Sequence, residues 1–445
     1  MTPEETVEFV VKEGQRLGAS DVATNWIRYN SRMIRFSNDE VTVANYEESD
    51  VLSALISFKG RMALGSIENL DPNAVRDFMP RLVKTARVMK VNEDYAPLPK
   101  GPFKYPSKRP PVDLKIGDLD KETLDYVRSA INAALEEGAK RTAGALITRG
   151  TAMWLKTSGG VKSRQNGSSI ELSIRAFLSD DASGNGISCS RTSRTFDAEE
   201  AGRRAGQVAK MAKNPVGIDA GKYRVLLGPY IFANLLNEVV SSASAFSVDT
   251  GLSFFPKELM GKRVASDHLT VYDDGAIPAG LSSRIFDDEG VPVQRTPVVK
   301  KGFLRNLLHN TMTAKKHKTK TTGNAGWIAP TPWNVVVEPG SVKQDDLLRE
   351  LGEGLYVTNT WYTRFQDHRK GDFSTVCRDG AFKVHNGEIV SSVKNLRISD
   401  NMINVMKNVE GLSREREWVK WWEVHIPTFT PYALVKKLGI TKTTK

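Results

Sequence analysis

The chain has 445 residues, 40% of them hydrophobic and 26% charged, and its 63 Lys and Arg against 52 Asp and Glu give a formal net charge of +11. That length exceeds what one core usually serves and predicts two or more domains. No apolar run approaches the roughly 20 residues that cross a bilayer, and two cysteines, Cys189 and Cys377, make no disulfide framework. A cytoplasmic protein with reduced thiols is expected, a Cys189 to Cys377 bridge being the alternative.

Thr2, Pro3 and Glu5 form a capping box that opens a first helix, with Val7, Val10 and Val11 on one face. The acid in these first residues also argues against a secretory signal. After Gly18 the pattern predicts short strands over 22–29, 33–36, 41–46 and 51–58. In the last of these Leu52, Ala54, Ile56 and Phe58 alternate, as a strand covered on one side requires. Residues 71–91 return to helical spacing, completing an α+β unit over residues 1–96.

Six prolines between Pro97 and Pro111 stop both helix and ladder, so residues 97–112 read as a connector. A second α+β unit is predicted over residues 113–217. It has a helix over 119–141, strands over 151–156, 169–178 and 186–193, turns at Ser158-Gly159-Gly160 and Asn166-Gly167, and a helix capped by Asp197. Helix, strands and helix on both sides of the prolines hint at a duplicated unit. From residue 218 to 445 a β-rich domain follows: a strand at Arg224-Val225-Leu226-Leu227, a helix carrying Glu238, then short strands with turns at Asp273-Asp274-Gly275, Glu289-Gly290 and Asn386-Gly387.

The surplus of base lies in three clusters, Lys100 to Lys115, Lys300 to Lys320 and Lys436 to Lys445. The densest run, Ala314-Lys315-Lys316-His317-Lys318-Thr319-Lys320, has no interleaved aromatics and no recognisable reading module, so a solvated face is favoured over a nucleic-acid site.

Several short stretches carry a resemblance. Those in the N-terminal part are Ile34-Arg35-Phe36-Ser37-Asn38-Asp39-Glu40 and Phe58-Lys59-Gly60-Arg61-Met62-Ala63-Leu64-Gly65. In the C-terminal part they are Phe286-Asp287-Asp288-Glu289-Gly290-Val291, Lys301-Gly302-Phe303-Leu304, Thr322-Gly323-Asn324-Ala325-Gly326 and Gly371-Asp372-Phe373-Ser374. In this order, from about Val7 to Gly411, the chain resembles the TldD/PmbA family of peptidase-related proteins, on its PmbA or TldE side. The resemblance implies an α+β fold in which the N-terminal region wraps around a β-rich C-terminal domain. In TldD-like members a His-Glu-x-x-x-His helix binds zinc, helped by a cysteine near the C-terminus. Here Asn237 and Ser242 stand where those histidines would fall, around Glu238, and no cysteine follows Cys377.

The remaining histidines do not compensate. His268, His309, His317, His368, His385 and His425 include no i, i+3 or i, i+4 pair, so no His-x-x-x-His site exists. No metal is expected in this chain. Glu238 reads either as a retained general base or peptide-contacting carboxylate, or as a helix residue paired with a Lys or Arg or simply solvated; without a metal to lower the pKa of water, a lone carboxylate hydrolyses an amide poorly. Asn237 is a candidate for hydrogen-bonding a peptide backbone. His368, Gly371, Asp372 and Ser374 are candidate substrate contacts in one loop, an Asx-turn at Asp372 being the structural alternative. Three tryptophans in five residues, Trp418, Trp421 and Trp422, read as a partner anchor or the rim of a core.

The resemblance further implies a TldE/PmbA-like subunit that acts with a zinc-bearing TldD-like partner, or as a homodimer, in proteolysis of peptides or unfolded segments. An independently active peptidase and a regulatory or nucleic-acid-associated protein are the alternatives.

Overall fold

A computed structural model of the chain describes residues 1–107 and 109–442. Lys108 of the first basic cluster and Lys445 of the third lie outside the described residues.

The N-terminal half begins with α1 (Pro3–Arg16), whose Thr2–Glu5 capping box is present. Then come β1 (Asp21–Ser37), β2 (Glu40–Phe58), β3 (Arg61–Ile67) and α2 (Pro72–Val88). Beyond the proline-rich arm lie α3 (Lys115–Asp118), α4 (Lys121–Glu136), β4 (Arg141–Thr157), β5 (Lys162–Ser179), β6 (Ala182–Ser190) and α5 (Ala198–Met211). The order helix, three strands, helix therefore occurs twice. Both sets join one six-stranded antiparallel sheet in the order β3-β2-β1-β4-β5-β6, with β1 and β4 paired at its centre. Helices cover one face through two clusters, one around Val10, Leu52 and Met79, the other around Ile34, Leu146 and Ile131.

Four short strands were expected where β1 and β2 run unbroken. The polar stretches that resemble turns, Asn30-Ser31-Arg32 and Glu47-Glu48-Ser49-Asp50, are half-buried to exposed and pair along one continuous ribbon, with Asn30 opposite Glu48 and Arg28 opposite Asp50. Cross-strand pairing replaces apolar alternation there: Arg28 Nε lies 2.9 Å from Asp50 Oδ1, and Tyr29 donates to Glu47 at 2.7 Å. Likewise Asn166-Gly167 is not a turn but the interior of β5, opposite Ala152 and Thr151. The expected helix over 119–141 ends at Glu136, and Arg141 already belongs to β4.

The arm crosses between the two halves. Tyr105 donates to the Gly290 carbonyl at 2.8 Å and packs on Phe286, with ring centroids 5.8 Å apart.

The C-terminal half contains β7 (Gly221–Leu227), α6 (Pro229–Ser242), α7 (Ala245–Asp249), β8 (Val271–Asp274), β9 (Arg295–Lys300), β10 (Phe303–Leu304), α8 (Thr311–Lys316), β11 (Val335–Val337), α9 (Gln344–Leu351), β12 (Gly354–Val357), β13 (Thr360–Asp367), β14 (Asp372–Cys377), β15 (Ala381–His385), β16 (Glu388–Ser392), β17 (Leu396–Asn401), α10 (Met402–Lys407), β18 (Val409–Trp421) and β19 (Val424–Lys442). The 19-residue β19 is the spine: it pairs with β7, β11, β17 and β18. Against it lies α6, largely apolar and with twelve of its fourteen residues buried, as a helix inside a core is. The fold is thus α+β, with the N-terminal layers set against a β-rich C-terminal core. Among the described residues no helix is long and apolar enough to cross a membrane.

Candidate functional site

Three polar side chains interrupt the apolar surface of α6 at Asn234, Asn237 and Glu238, three and four residues apart and therefore on one face. That face meets the turn from β18 into β19. Asn234 Nδ2 donates to the Glu423 carbonyl at 2.7 Å, and its Oδ1 accepts from the Thr363 hydroxyl at 2.5 Å. Asn237 Nδ2 donates to the Ile426 carbonyl at 3.1 Å and to Thr428 Oγ1 at 2.8 Å, while its Oδ1 accepts from Ile426 N at 2.8 Å. The carboxamide is 94% buried and fully engaged within the chain. It is therefore a clamp on the start of β19 and not a free contact for a peptide backbone.

Glu238 faces a small charged group. Burial raises its pKa above the ordinary 4.5, Arg364 on β13 opposes that rise, and Glu423 adds to it. The Glu423 carboxylate also accepts from the Tyr362 amide at 3.3 Å. Ser242 is buried at the helix end, where its carbonyl accepts from Ser253 at 2.6 Å. An engaged carboxamide and a neutral hydroxyl are not the imidazole or thiolate donors that zinc takes, so the residues at 237 and 242 do not fit the ion. Among the described residues no three His, Cys, Asp or Glu side chains are placed to share a metal.

The loop candidates lie elsewhere on β13 and β14. From Arg364 to His368 an extended strand covers about 13 Å, so the loop tip is removed from Glu238. His368 is exposed and stacks on Phe365, 4.6 Å between ring centroids. The tight turn is made by Asp367, whose carboxylate accepts from the amides of Arg369 at 2.9 Å and Lys370 at 3.3 Å. Asp372, where the Asx-turn was expected, instead accepts from the Asn401 amide at 2.9 Å, because β14 has already begun. Gly371 adopts φ +78° against Phe254, 3.2 Å from where a Cβ would stand. Ser374 is buried and its hydroxyl accepts from Arg397 at 3.2 Å.

Two of the sequence stretches that carried the resemblance meet through one carboxylate. Asp287 accepts from the amides of Glu289 at 3.0 Å, Val291 at 2.9 Å and Ala325 at 2.9 Å. Burial holds its pKa well above the ordinary range, with repulsion from Glu289 adding to the rise; burial also lifts Glu289 to about 7. The lysine run is partly tied to the protein: Lys316 lies 2.7 Å from Asp94 and 3.4 Å from Asp249, and His317 Nε2 lies 2.9 Å from Asp249. Both thiols are free, and burial pushes each pKa up.

Asn234, Arg364 and Glu423 were not singled out in the sequence. The signal for Asn234 was available, since a second Asn three residues before Asn237 on an otherwise apolar helix marks a polar face needing partners. Arg364 and Glu423 reach α6 only through tertiary pairing.

A family model described as the PmbA/TldA metallopeptidase C-terminal domain matches residues 220–442. A metalloprotease of Methanothermobacter thermautotrophicus is 28% identical over 325 residues, 69% of each chain. Metalloprotease PmbA of Escherichia coli O157:H7 is 31% identical over 201 residues, 44% of this chain and 43% of that one. In fold the chain is similar to TldE from Thermococcus kodakarensis, with TM-score 0.87 and 20% identity over 98% of this chain and 100% of that one. It is equally similar to a proposed modulator of DNA gyrase from Thermotoga maritima, with TM-score 0.87 and 23% identity over the same shares. With the matched segment covering the whole β-rich half, from β7 through α6 to the end of β19, the chain belongs to the PmbA/TldD metallopeptidase family.

Proposed function

We propose that this chain is the TldE/PmbA-like component of a cytoplasmic TldD/TldE-type peptidase complex, in which a TldD-like partner holds the zinc and hydrolyses peptides or unfolded segments. The single observation that carries the reading is Asn237. At the position where a TldD-like helix would present a zinc-binding histidine, this chain has a carboxamide engaged in the three hydrogen bonds that fix the start of β19. Position 237 therefore serves the fold, and Glu238 beside it has no metal-bound water to deprotonate. The chain's own task is to complete the chamber wall and hold extended substrate, with Arg364 and Glu423 setting the charge around Glu238. A homodimer is the form expected when no TldD-like chain is supplied.

The test is co-purification with a TldD-like protein from the same source, followed by assay on a casein-like or unstructured peptide. Complex formation that raises turnover is the expected result. A partner fully active alone, with no complex, overturns the reading. Turnover by the isolated chain that Glu238→Gln abolishes would assign hydrolysis to this chain instead.

A further inference from the structure

The face of the six-stranded sheet that carries no helices looks across a cleft toward the C-terminal half. Met33, Val43, Ala145 and Ile147 line one wall, and Trp361, Trp421 and Trp422 line the other; the cleft holds about 700 Å³. The three indoles form a box: the rings of Trp361 and Trp422 lie 4.5 Å apart at 83°, and those of Trp421 and Trp422 lie 5.9 Å apart at 89°. The box is held in place from below, because Asn234 on α6 binds the Glu423 carbonyl in the same turn. Trp422 is nevertheless 49% exposed and Tyr362 beside it 51% exposed, a large apolar surface left at the mouth.

Besides the carboxylate of Glu171 and the hydroxyls of Ser37, Thr42 and Ser173, the polar side-chain groups lining this cleft are donors. Trp421 is 95% buried, yet its indole N–H finds no acceptor, and the indole N–H of Trp361 finds none either. An unmet buried donor is costly, and native structures leave few of them. Among the cations of the lining, Arg175 is bound by Asp379 at 2.6 Å and Lys420 lies 3.6 Å from Glu171. Arg35, exposed on β1 opposite Val43 and Ala145, has no ion-pair or side-chain hydrogen-bond partner among the described residues. An apolar aromatic box with two unmet N–H groups and one uncompensated guanidinium calls for a ligand that is apolar with an anionic acceptor at one end.

We propose that this cleft binds the C-terminal residue of a peptide, its aromatic or branched side chain between the tryptophans and its carboxylate on Arg35. The choice of a peptide over another apolar acid rests on the peptide reading above; the cleft's preference for an apolar carboxylate does not. Neither indole nitrogen is open to solvent, so engaging either N–H requires the Trp361 or Trp421 ring to turn, and the carboxylate's first contact is the exposed Arg35. Capture of a terminal carboxylate fixes one end of an extended chain and so sets its register along the cleft.

Calorimetric titration of the isolated full chain tests this without any partner subunit, so its outcome is separate from that of the complex. The probes are Ala-Ala-Phe as the free acid, Ala-Ala-Phe amide, and 3-phenylpropionate. Saturable binding of the acid, at least about tenfold tighter than the amide, is expected, with 3-phenylpropionate weaker than the tripeptide. Arg35→Gln removes the difference between acid and amide, and Trp422→Leu weakens both about tenfold. Both residues are exposed enough that the melting temperature should hold. Equal binding of acid and amide, absence of saturable binding, or an unchanged acid preference in Arg35→Gln overturns the proposal. Binding of 3-phenylpropionate as tight as that of the tripeptide overturns the peptide as occupant.

Discussion

Asn237 and Ile426 are joined twice: the side-chain amide donates to the Ile426 carbonyl at 3.1 Å, and the side-chain oxygen accepts from the Ile426 amide at 2.8 Å. This reciprocal pair lets a helix side chain stand in for a neighbouring strand at the start of β19. Replacing Asn237 by histidine therefore breaks a clamp without creating a metal site, because residue 242 remains a serine. Asn237→His should cost about 1–3 kcal/mol for buried backbone groups left unmatched. A lowered urea midpoint with no stoichiometric zinc after dialysis is the expected result; one equivalent of tightly held zinc would contradict the account.

Glu238 predicts a pH dependence of stability. Its folded-state pKa lies above the ordinary 4.5, chiefly through burial. The folded chain thus binds this proton more tightly than the unfolded chain, so the group's contribution is most favourable below pH 4.5 and declines as pH rises through the folded pKa. Glu238→Gln should raise the melting temperature at pH 8 relative to the parent and leave it nearly unchanged at pH 4.5. Equal shifts at both values would show that the carboxylate is not titrating in this way. Arg364→Gln should act oppositely, lowering stability at pH 8, since it removes the charge that favours the ionised form.

How much of this was legible in the sequence depends on range. The Thr2–Glu5 capping box, the helix under Asp71 and the strand at 224–227 are local and appear as read. The joining of β1 through Asn30-Ser31-Arg32 was hidden, because ionic and polar cross-strand partners such as Arg28 with Asp50 carry no period-2 apolar signal. At the site, the Asn-Glu pair on α6 was found by resemblance to a helix with histidines. Its actual work could not be read, since the partner Ile426 is 189 residues away. Asp367 rather than Asp372 closes the β13–β14 turn because the strand boundary, the least local of these features, falls at Asp372.

The two halves are fastened by Arg175 of β5 and Asp379, two residues after β14. Arg175 Nε lies 3.0 and 2.9 Å from the two carboxylate oxygens and Nη2 lies 2.6 Å from Oδ1, while Ser183 donates to Oδ1 at 2.7 Å. The Asp379 side chain is only 2% exposed and that of Arg175 22% exposed, so truncating one partner strands the other's charge. Asp379→Ala should destabilise by about 3–5 kcal/mol, and adding Arg175→Met should recover part of that loss. Urea denaturation of the two variants checks this; additive losses would show that the pair is not coupled.

The carboxylates of Asp287 and Glu289 make a second, steeper pH prediction. Asp287 ties 286–291 to 322–326 through the Ala325 amide, and Glu289 accepts from the Thr311 amide and hydroxyl at the start of α8. Burial raises both pKa values, Glu289 from 4.5 to about 7. Because the raised group is protonated in the folded chain and ionised in the unfolded one between those values, the stability it confers is complete below pH 4.5 and is lost as pH rises through about 7. The urea midpoint should fall between pH 6 and pH 8. Glu289→Gln keeps an acceptor for Thr311 but cannot ionise, so its midpoint should change less over the same interval. Parallel pH profiles for the parent and Glu289→Gln would mean that the proton resides elsewhere, leaving Asp273, lifted by burial to about 7, as the group to replace next.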